Sequence, residues 1–371
     1  MRRISTVTSA VKTPSPQGLT IGIDLGDKRS HVCVLDAAGS VTERFVVDST
    51  SPAMQQAFAA RCGAKVVIEA GGHSPWASRL LADLGLDVIV ANPNKLAAIS
   101  KNQRKTDRND AEILARLGRL DLNLLHPIEH RSAAKQAHLE MLKARDAVVR
   151  SRTLQVNHVR GALKAFGVRV PKCDATVFAT TAAEHVPQAL RAAIGPLLSV
   201  IAHLTKSIRR YDRAVDRLCE KVYPETKLLR QIQGVGPLTA LAYVLVLGSF
   251  ERFKSSRRVG AYLGLCPPVA QSGEQNPQLH ISKAGNGFMR KLLVQAAHYI
   301  TGPFGEDSTL RRVGQRLEAS GGARGKKRAI IAVARRLAVL LHHLWKTGEV
   351  YDSLRNAPAP MEPTAAVAAT A

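Results

Sequence analysis

Four carboxylates in this chain have the types and placing that phosphodiester chemistry needs. Asp24 lies in the apolar run Thr20-Ile21-Gly22-Ile23-Asp24-Leu25, where an ionised side chain is costly unless a cation or partner compensates it. Glu69 ends a second apolar run, Val66-Val67-Ile68-Glu69, and is followed by Ala70-Gly71-Gly72. Asp107 and Asp110 stand three residues apart, hence on one face of the first turn of a helix. Carboxylates from two strands and a helix start can converge on one spot. Two divalent ions held by such a group clamp the attacking and leaving oxygens of a phosphoryl transfer. Mg2+ prefers hard oxygen ligands of this kind. Taken alone, Asp107 and Asp110 would equally serve to complement a helix macrodipole.

A second set of candidates lies far downstream. Ile232-Gln233-Gly234-Val235-Gly236-Pro237 leads into a helical run from Leu238 to Leu247. A Gly-x-Gly turn before a helix points backbone N–H groups outward, so Gly234 and Gly236 are candidate nucleic-acid contacts through phosphate. The same turn would also suit plain helix packing. Then come Gly264-Leu265-Cys266-Pro267, Gln271-Ser272-Gly273 and Ile281-Ser282-Lys283-Ala284-Gly285-Asn286. A serine beside glycine has a reachable hydroxyl, and Lys283, Arg290 and Lys291 supply positive charge for a transferring phosphoryl group. Ser-Gly is also ordinary loop material, and no Ser-His-Asp order accompanies it.

The elements that must position these residues change character along the chain. Strands are expected at Thr20–Leu25, His31–Leu35, Val41–Val47, Ala64–Ile68 and Val88–Ala91, alternating with helices. Ser74-Pro75 reads as a helix start with serine as cap, and Thr106 as the cap of a helix running through Leu117. This is an α/β unit over residues 19–125, after a basic tail at 1–18 expected to lack structure. Residues 126–227 read as a helical, coiled-coil hairpin. Leu142, Val149, Val156 and Leu163 recur every seven, and Leu197, Ile201, Leu204, Ile208, Tyr211, Val215 and Leu218 alternate four and three. Arg145, Arg150, Arg152, Arg160, Lys164, Arg209 and Arg210 on its faces are either solvated or nucleic-acid-facing. A mostly helical domain follows over 228–346, then an Ala/Pro-rich tail over 347–371. The fold class is α/β plus all-α.

Charge narrows the partners. The chain carries 53 Lys+Arg against 29 Asp+Glu, a formal charge of +24 in 371 residues. Such an excess repels itself unless a polyanion neutralises it, and nucleic acid is the usual one. The five cysteines form no C-x-x-C pair, which excludes an obvious zinc site or disulfide framework. No apolar run is long enough to span a bilayer and no secretory signal is visible, so a cytoplasmic protein without a membrane partner is expected.

Asp in a Gly-Ile-Asp-Leu-Gly strand also serves nucleotide phosphate in sugar-kinase and actin-like folds. The four carboxylates in this order and spacing instead resemble the ribonuclease-H-like fold of RuvC-type junction resolvases. With Lys105-Thr106-Asp107-Arg108-Asn109-Asp110-Ala111, Gly234-Val235-Gly236, Gly264-Leu265-Cys266-Pro267, Gln271-Ser272-Gly273 and Ile281-Ser282-Lys283-Ala284-Gly285, the chain resembles the DEDD-type transposases of insertion sequence family 110, including subgroup 1111. The likeness runs from about residue 19 to 346. It implies a RuvC-like site binding Mg2+ through Asp24, Glu69, Asp107 and Asp110, and a covalent serine nucleophile at Ser272. It also implies a guide RNA from the same element, DNA ends and target as substrates, and a homo-oligomer, dimer or tetramer, joined through the coiled coil. The family often doubles the glycine after the serine, whereas Glu274 follows Gly273 here, and Ser282 stands as the second candidate. The alternatives are a junction endonuclease using the carboxylates alone and a nucleic-acid-binding protein without activity.

Overall fold

In the computed structural model the chain divides into two compact units, Met1–Arg131 and Ser132–Ala371. The structure describes residues 18–93, 96, 107–268 and 279–355, leaving aside the side chains of Asp107, Arg108 and Ala323. Thr106 and Ser272, with most of both tails, lie outside the described residues.

A five-stranded sheet organises the first unit. Strands β1 (Thr20–Asp24), β2 (Arg29–Leu35) and β3 (Val41–Asp48) form an antiparallel meander. Strands β4 (Lys65–Glu69) and β5 (Asp87–Ala91) continue from β1 in parallel, giving the order β3-β2-β1-β4-β5. Parallel neighbours need crossovers. Helix α1 (Ser51–Phe58) links β3 to β4, and α2 (Ser74–Asp83) links β4 to β5. At the meander's edge, β3 carries Thr42, Glu43 and Arg44, which discourages pairing with a further strand.

Alternation along β1 decides which side chains face which layer. Ile21 and Ile23 join Val32, Val34, Val66 and Ile68 against Met54, Phe58 and Leu81 of α1 and α2. Thr20, Gly22 and Asp24 therefore face the opposite side, where α3 (Asp107–Leu120) lies. There Ala111 and Ala115 cluster with Cys33 and Leu35, while Leu114 clusters with Val67 and Ile89. The approach is close because glycines meet alanines. A Cβ at Gly22 would stand 2.0 Å from the Ala111 carbonyl oxygen, and one at Gly118 would stand 2.2 Å from a methyl of Val67. Arg44 of β3 fastens the same helix through a 2.6 Å contact to Glu112.

In the second unit, α5 (Ala133–Ala165) and α7 (Arg191–Lys221) run antiparallel; the short α4 (Leu122–Leu125) precedes them in the first unit. Arg145 meets Asp212, and seven residues further along α5, Arg152 meets Thr205, seven residues earlier on α7. The seam of α7 differs from the heptads expected. Ile194, Leu198, Ile201, Thr205, Ile208, Val215 and Cys219 are buried, whereas Leu197, Leu204, Tyr211 and Leu218 are only half-buried. The far end of the pair closes on Phe178 of α6 (Phe178–Ala183), with Val159, Leu163, Ile194 and Leu198 around it.

The near end merges with a helical core. After the one-turn α8 (Thr226–Leu229), helix α9 (Pro237–Leu247) has every residue from Thr239 to Leu247 buried. A helix apolar all round must be surrounded, and α11 (Gly287–Thr301) and α13 (Gly325–Thr347) help enclose it beside the short α10 (Arg257–Tyr262) and α12 (Thr309–Ala319). Tyr243 is the largest buried side chain, and its hydroxyl donates to the Ala338 carbonyl at 2.6 Å. Burial pushes this phenol well above its ordinary range. Tyr243→Phe is expected to lower stability by about 1 kcal/mol, the net worth of one such bond, measured by denaturant unfolding. Residues 348–355, assigned by sequence to the tail, instead lie along this core. Ser353 accepts from the Thr309 N–H at 2.7 Å, and Tyr351 packs against the cluster.

Candidate active site

Asp24 and Glu69 end adjacent parallel strands. Ile23 is level with Ile68, so the next residues, Asp24 and Glu69, stand side by side at the carboxyl ends of β1 and β4. Both share the face of Gly22 and Val67, the face covered by α3. The direction of α3 brings in the remaining carboxylates. A Cβ at Gly118 would meet Val67 and Thr20, and one at Gly22 would meet Ala111 and Ala115. Four helical residues and two strand residues both advance about 6 Å, so Asp110, toward the start of the helix, is expected near the level of Asp24. Asp110 is buried, at 5% exposure. Asp107 begins the helix another turn out, with its side chain outside the described residues. Glu112 is not part of this group. Arg44 first and Arg116 second hold its carboxyl below the usual range.

The donors at this sheet end are hard carboxylate oxygens, a chemistry that suits Mg2+ or a similar cation. Among the described residues, no three His, Cys, Asp or Glu side chains stand close enough to hold a metal ion, and Asp107 falls outside that comparison. The backbone thus sets Asp24 and Glu69 side by side under the helix that carries Asp110, while the side chains of the described residues form no metal-holding group.

Three histidines escaped the sequence reading. His31 is level with Asp24 across the β1–β2 pair, so it shares the carboxylate face. His73 lies just past Glu69; its Nδ1 accepts from Trp76 Nε1 at 3.0 Å, and its Nε2 stands 3.6 Å from Asp27. Accepting at Nδ1 places the ring proton on Nε2, toward that carboxylate. Ser74 does not cap α2 as expected: His73 occupies the cap position without a side-chain bond. The Ser74 hydroxyl instead accepts from the Gly71 N–H and donates to the Gly71 carbonyl, both at 2.9 Å. It also meets His130 Nε2 at 2.9 Å, an imidazole that burial, then Arg79 and Arg131, hold below its ordinary range. These contacts lock the Gly71-Gly72 turn and so the end of the strand carrying Glu69. The signal available was histidine next to a candidate ligand; periodicity does not weigh it.

In the second unit, two loops cross backbone to backbone on either side of the segment that contains Ser272. The Ser282 N–H donates to Cys266 and the Lys283 N–H to Gly264, at 2.9 and 3.1 Å. Gly264 has φ +68, and a Cβ there would fall 2.2 Å from the Ala284 carbonyl oxygen. Lys283 is left-handed at φ 55, a conformation costing a non-glycine residue about 1 kcal/mol, with its side chain exposed. Ser282 is exposed beside it. Arg290 is engaged within the crossing, its guanidinium donating to the carbonyls of Leu263 and Ala284. Lys291 pairs with Asp146 of α5. Two of the three cations expected to face a phosphoryl group, Arg290 and Lys291, thus have partners in the protein, while the Lys283 side chain is exposed. Gly234 takes φ +91 against Tyr299 and Ala296, whereas Gly236 caps α9 with open space around it.

Comparison with known proteins places these two regions in one family. Residues 21–167 match a DEDD-type family model described as Transposase, and residues 226–305 match the Transposase IS116/IS110/IS902 family. The transposase for insertion sequence element IS1111A of Coxiella burnetii is 25% identical over 344 residues, covering 89% of this chain and 90% of that relative. The transposase for insertion sequence element IS1328 of Yersinia enterocolitica is 28% identical, over 76% of this chain and 84% of its own. The chain belongs to the IS110 family of DEDD transposases. It is similar over a shorter stretch, at 27% identity, to the pilin gene-inverting protein of Moraxella lacunata, covering 41% of this chain and 47% of that one. All four carboxylates of this DNA transposase fall within the first matched segment, and the glycine turn, Ser272 and the crossed loops within the second. No helix among the described residues is long and apolar enough to cross a membrane.

Proposed function

We propose that this transposase cuts and rejoins DNA with two separate sets of residues. Asp24, Glu69, Asp107 and Asp110 would hold Mg2+ on a ribonuclease-H-like, RuvC-like domain, and Ser272 would be the nucleophile. The observation that supports this reading is the register of the first unit, in which Asp24 and Glu69 follow level residues of adjacent parallel strands, with the helix that carries Asp110 packed on the same face at Gly22. The strand order, an antiparallel meander extended by two parallel strands, agrees with it.

When bound, Mg2+ supplies Lewis-acid stabilisation of the attacking and leaving oxygens. The carboxylates would neutralise the cation and fix its place, and the hydrogen-bonded turn after Glu69 would keep one of them from swinging away. Ser272 Oγ forms a bond to phosphorus as the P–O bond of the leaving strand breaks. The hydroxyl proton departs from Ser272, and the leaving strand's oxygen takes one up. Attack by the hydroxyl of a second strand reverses these steps and restores the serine. A guide RNA from the same element would choose the DNA, and a homo-oligomer acting in the cytoplasm would bring the two sets of residues together.

The test uses purified protein, Mg2+, element-end DNA and RNA transcribed from the element's flank. Wild type is expected to form a covalent protein–DNA adduct that requires the RNA, and Ser272→Ala to form none. An adduct that persists in Ser272→Ala removes the serine assignment. Cleavage with no adduct in either protein leaves the carboxylates as the whole active site.

A further inference from the structure

Helix α7 carries a row of cations that the proposed cleavage chemistry does not use. Lys206, Arg210, Arg213 and Arg217 recur at four, three and four residues, so they line one face over roughly 16 Å. Arg209 flanks the row, and Lys221 ends it. All six side chains are exposed, Lys221 in the last turn of the helix. Lys206, Arg209, Arg210 and Arg213 border, with Asp212, a shallow open concavity of about 590 Å³.

The contrast with the rest of the helical pair gives the row its meaning. Three cations elsewhere on the pair are matched by carboxylates: Lys143 with Glu140 at 2.6 Å, Arg145 with Asp212 at 2.6 Å, and Arg150 with Asp146 at 3.3 Å. Among the described residues, no ion pair within 4 Å involves Lys206, Arg209, Arg210, Arg213 or Arg217. Asp212, the carboxylate within the concavity, is already bonded to Arg145. Asp216 and Glu220 are exposed on the edge of the row nearer the seam, two carboxylates beside six cations. Like charges three and four residues apart destabilise a helix. Asp212, Asp216 and Glu220, each three residues after an arginine, offset part of this repulsion, and a polyanion along the row would offset more.

We propose that this face of α7 is a binding site for the phosphate backbone of duplex DNA, apart from the carboxylates and the serine. Duplex DNA presents about one negative charge per 1.7 Å of its axis, which matches a straight, closely spaced row of cations. The face shows no aromatic side chain for stacking on single-stranded bases, since Tyr211 lies on the other side of the helix. Contacts of this kind set position without reading sequence. The site would hold DNA flanking the cleavage point and add affinity that is independent of target sequence.

The experiment measures binding of the full-length protein to a short DNA duplex, and to an RNA duplex of the same sequence, without divalent metal, across a salt series. The ridge variant is Arg210→Gln/Arg213→Gln. The control is Lys143→Gln/Arg150→Gln, which removes the same charge from paired positions. Circular dichroism melting checks that both fold. For DNA, the slope of log K against log salt is expected to flatten by about 1.8 in the ridge variant, two phosphate contacts' worth, and by much less in the control. Equal flattening in both variants would mean that net charge alone acts, and would overturn the site. No change in the ridge variant, or a change on RNA alone, overturns it equally. Because binding is read without cleavage, the outcome is separate from the fate of the Ser272 and Mg2+ assignments.

Discussion

Gly22→Val is expected to unfold the first unit at moderate temperature and to abolish DNA cleavage with it. A Cβ at this position would lie 2.0 Å from the Ala111 carbonyl oxygen, 2.6 Å from the Ala115 nitrogen and 3.0 Å from its Cβ. Two of these neighbours are backbone atoms of a helix, which no rotamer change can move. Helix α3 would have to lift from β1, opening the packing of Ala111, Leu114 and Ala115, all at most 1% exposed. Overpacking of this kind costs about 1–3 kcal/mol where side chains can adjust and more where they cannot. That is a large share of a domain stability of about 5–15 kcal/mol. The same displacement carries Asp110 away from the end of β1, so activity should be lost even in molecules that remain folded. Thermal unfolding followed by circular dichroism is the measurement. A variant melting within a degree of wild type would mean that α3 is not seated on β1 as described.

That contact explains which parts of the molecule were readable in advance. The five strands were visible because each is a short β-branched run bounded by turn residues, and the observed bounds differ from expectation by a few residues at most. Pairing was not visible. Nothing local in Val66-Val67-Ile68-Glu69 says that it lies parallel to β1 with Ile68 level with Ile23. Asp24 and Glu69 could be chosen as strand-terminal carboxylates, but their juxtaposition depends on that long-range register, and the approach of Asp110 depends on Gly22.

The helical pair shows the opposite difficulty. Apolar spacing along α7 favoured Leu204 and Tyr211, yet the seam takes Thr205. Thr205 is tolerated there because its hydroxyl donates to the Ile201 carbonyl at 2.8 Å and also meets Arg152. Asp212, seven residues further along α7, is matched by Arg145. Hydrophobic periodicity cannot credit polar residues whose partners come from another helix. The bonds of Arg290 were hidden for a related reason: the carbonyls of Leu263 and Ala284 that take its guanidinium come from loops distant in the sequence or only fixed by the fold. Residues 348–355 read as part of the tail because their anchors, Thr309 and Gln231, are distant in sequence.

Asp24→Asn is expected to preserve the fold and remove divalent-metal-dependent cleavage, by about a thousandfold or more, on the order of 4 kcal/mol of transition-state stabilisation. Asparagine keeps the size and shape of the side chain, so the half-buried end of β1 should pack as before. It removes one negative charge from a sheet end shared with Glu69 and the buried Asp110. Without metal, relief of like-charge repulsion should leave the variant as stable as wild type or more so. With metal the order should reverse. An ion that binds only the folded state stabilises it in proportion to the logarithm of its concentration over Kd, so Mg2+ should raise the wild-type melting temperature and leave the variant's almost unchanged. This crossing of the two stability curves distinguishes a lost ligand from a damaged fold, since a damaged fold is weaker under both conditions. A variant that retains full Mg2+-dependent cleavage and the wild-type response to Mg2+ would show that Asp24 does not hold the ion. The carboxylates at this sheet end would then be serving the packing of α3 rather than the chemistry.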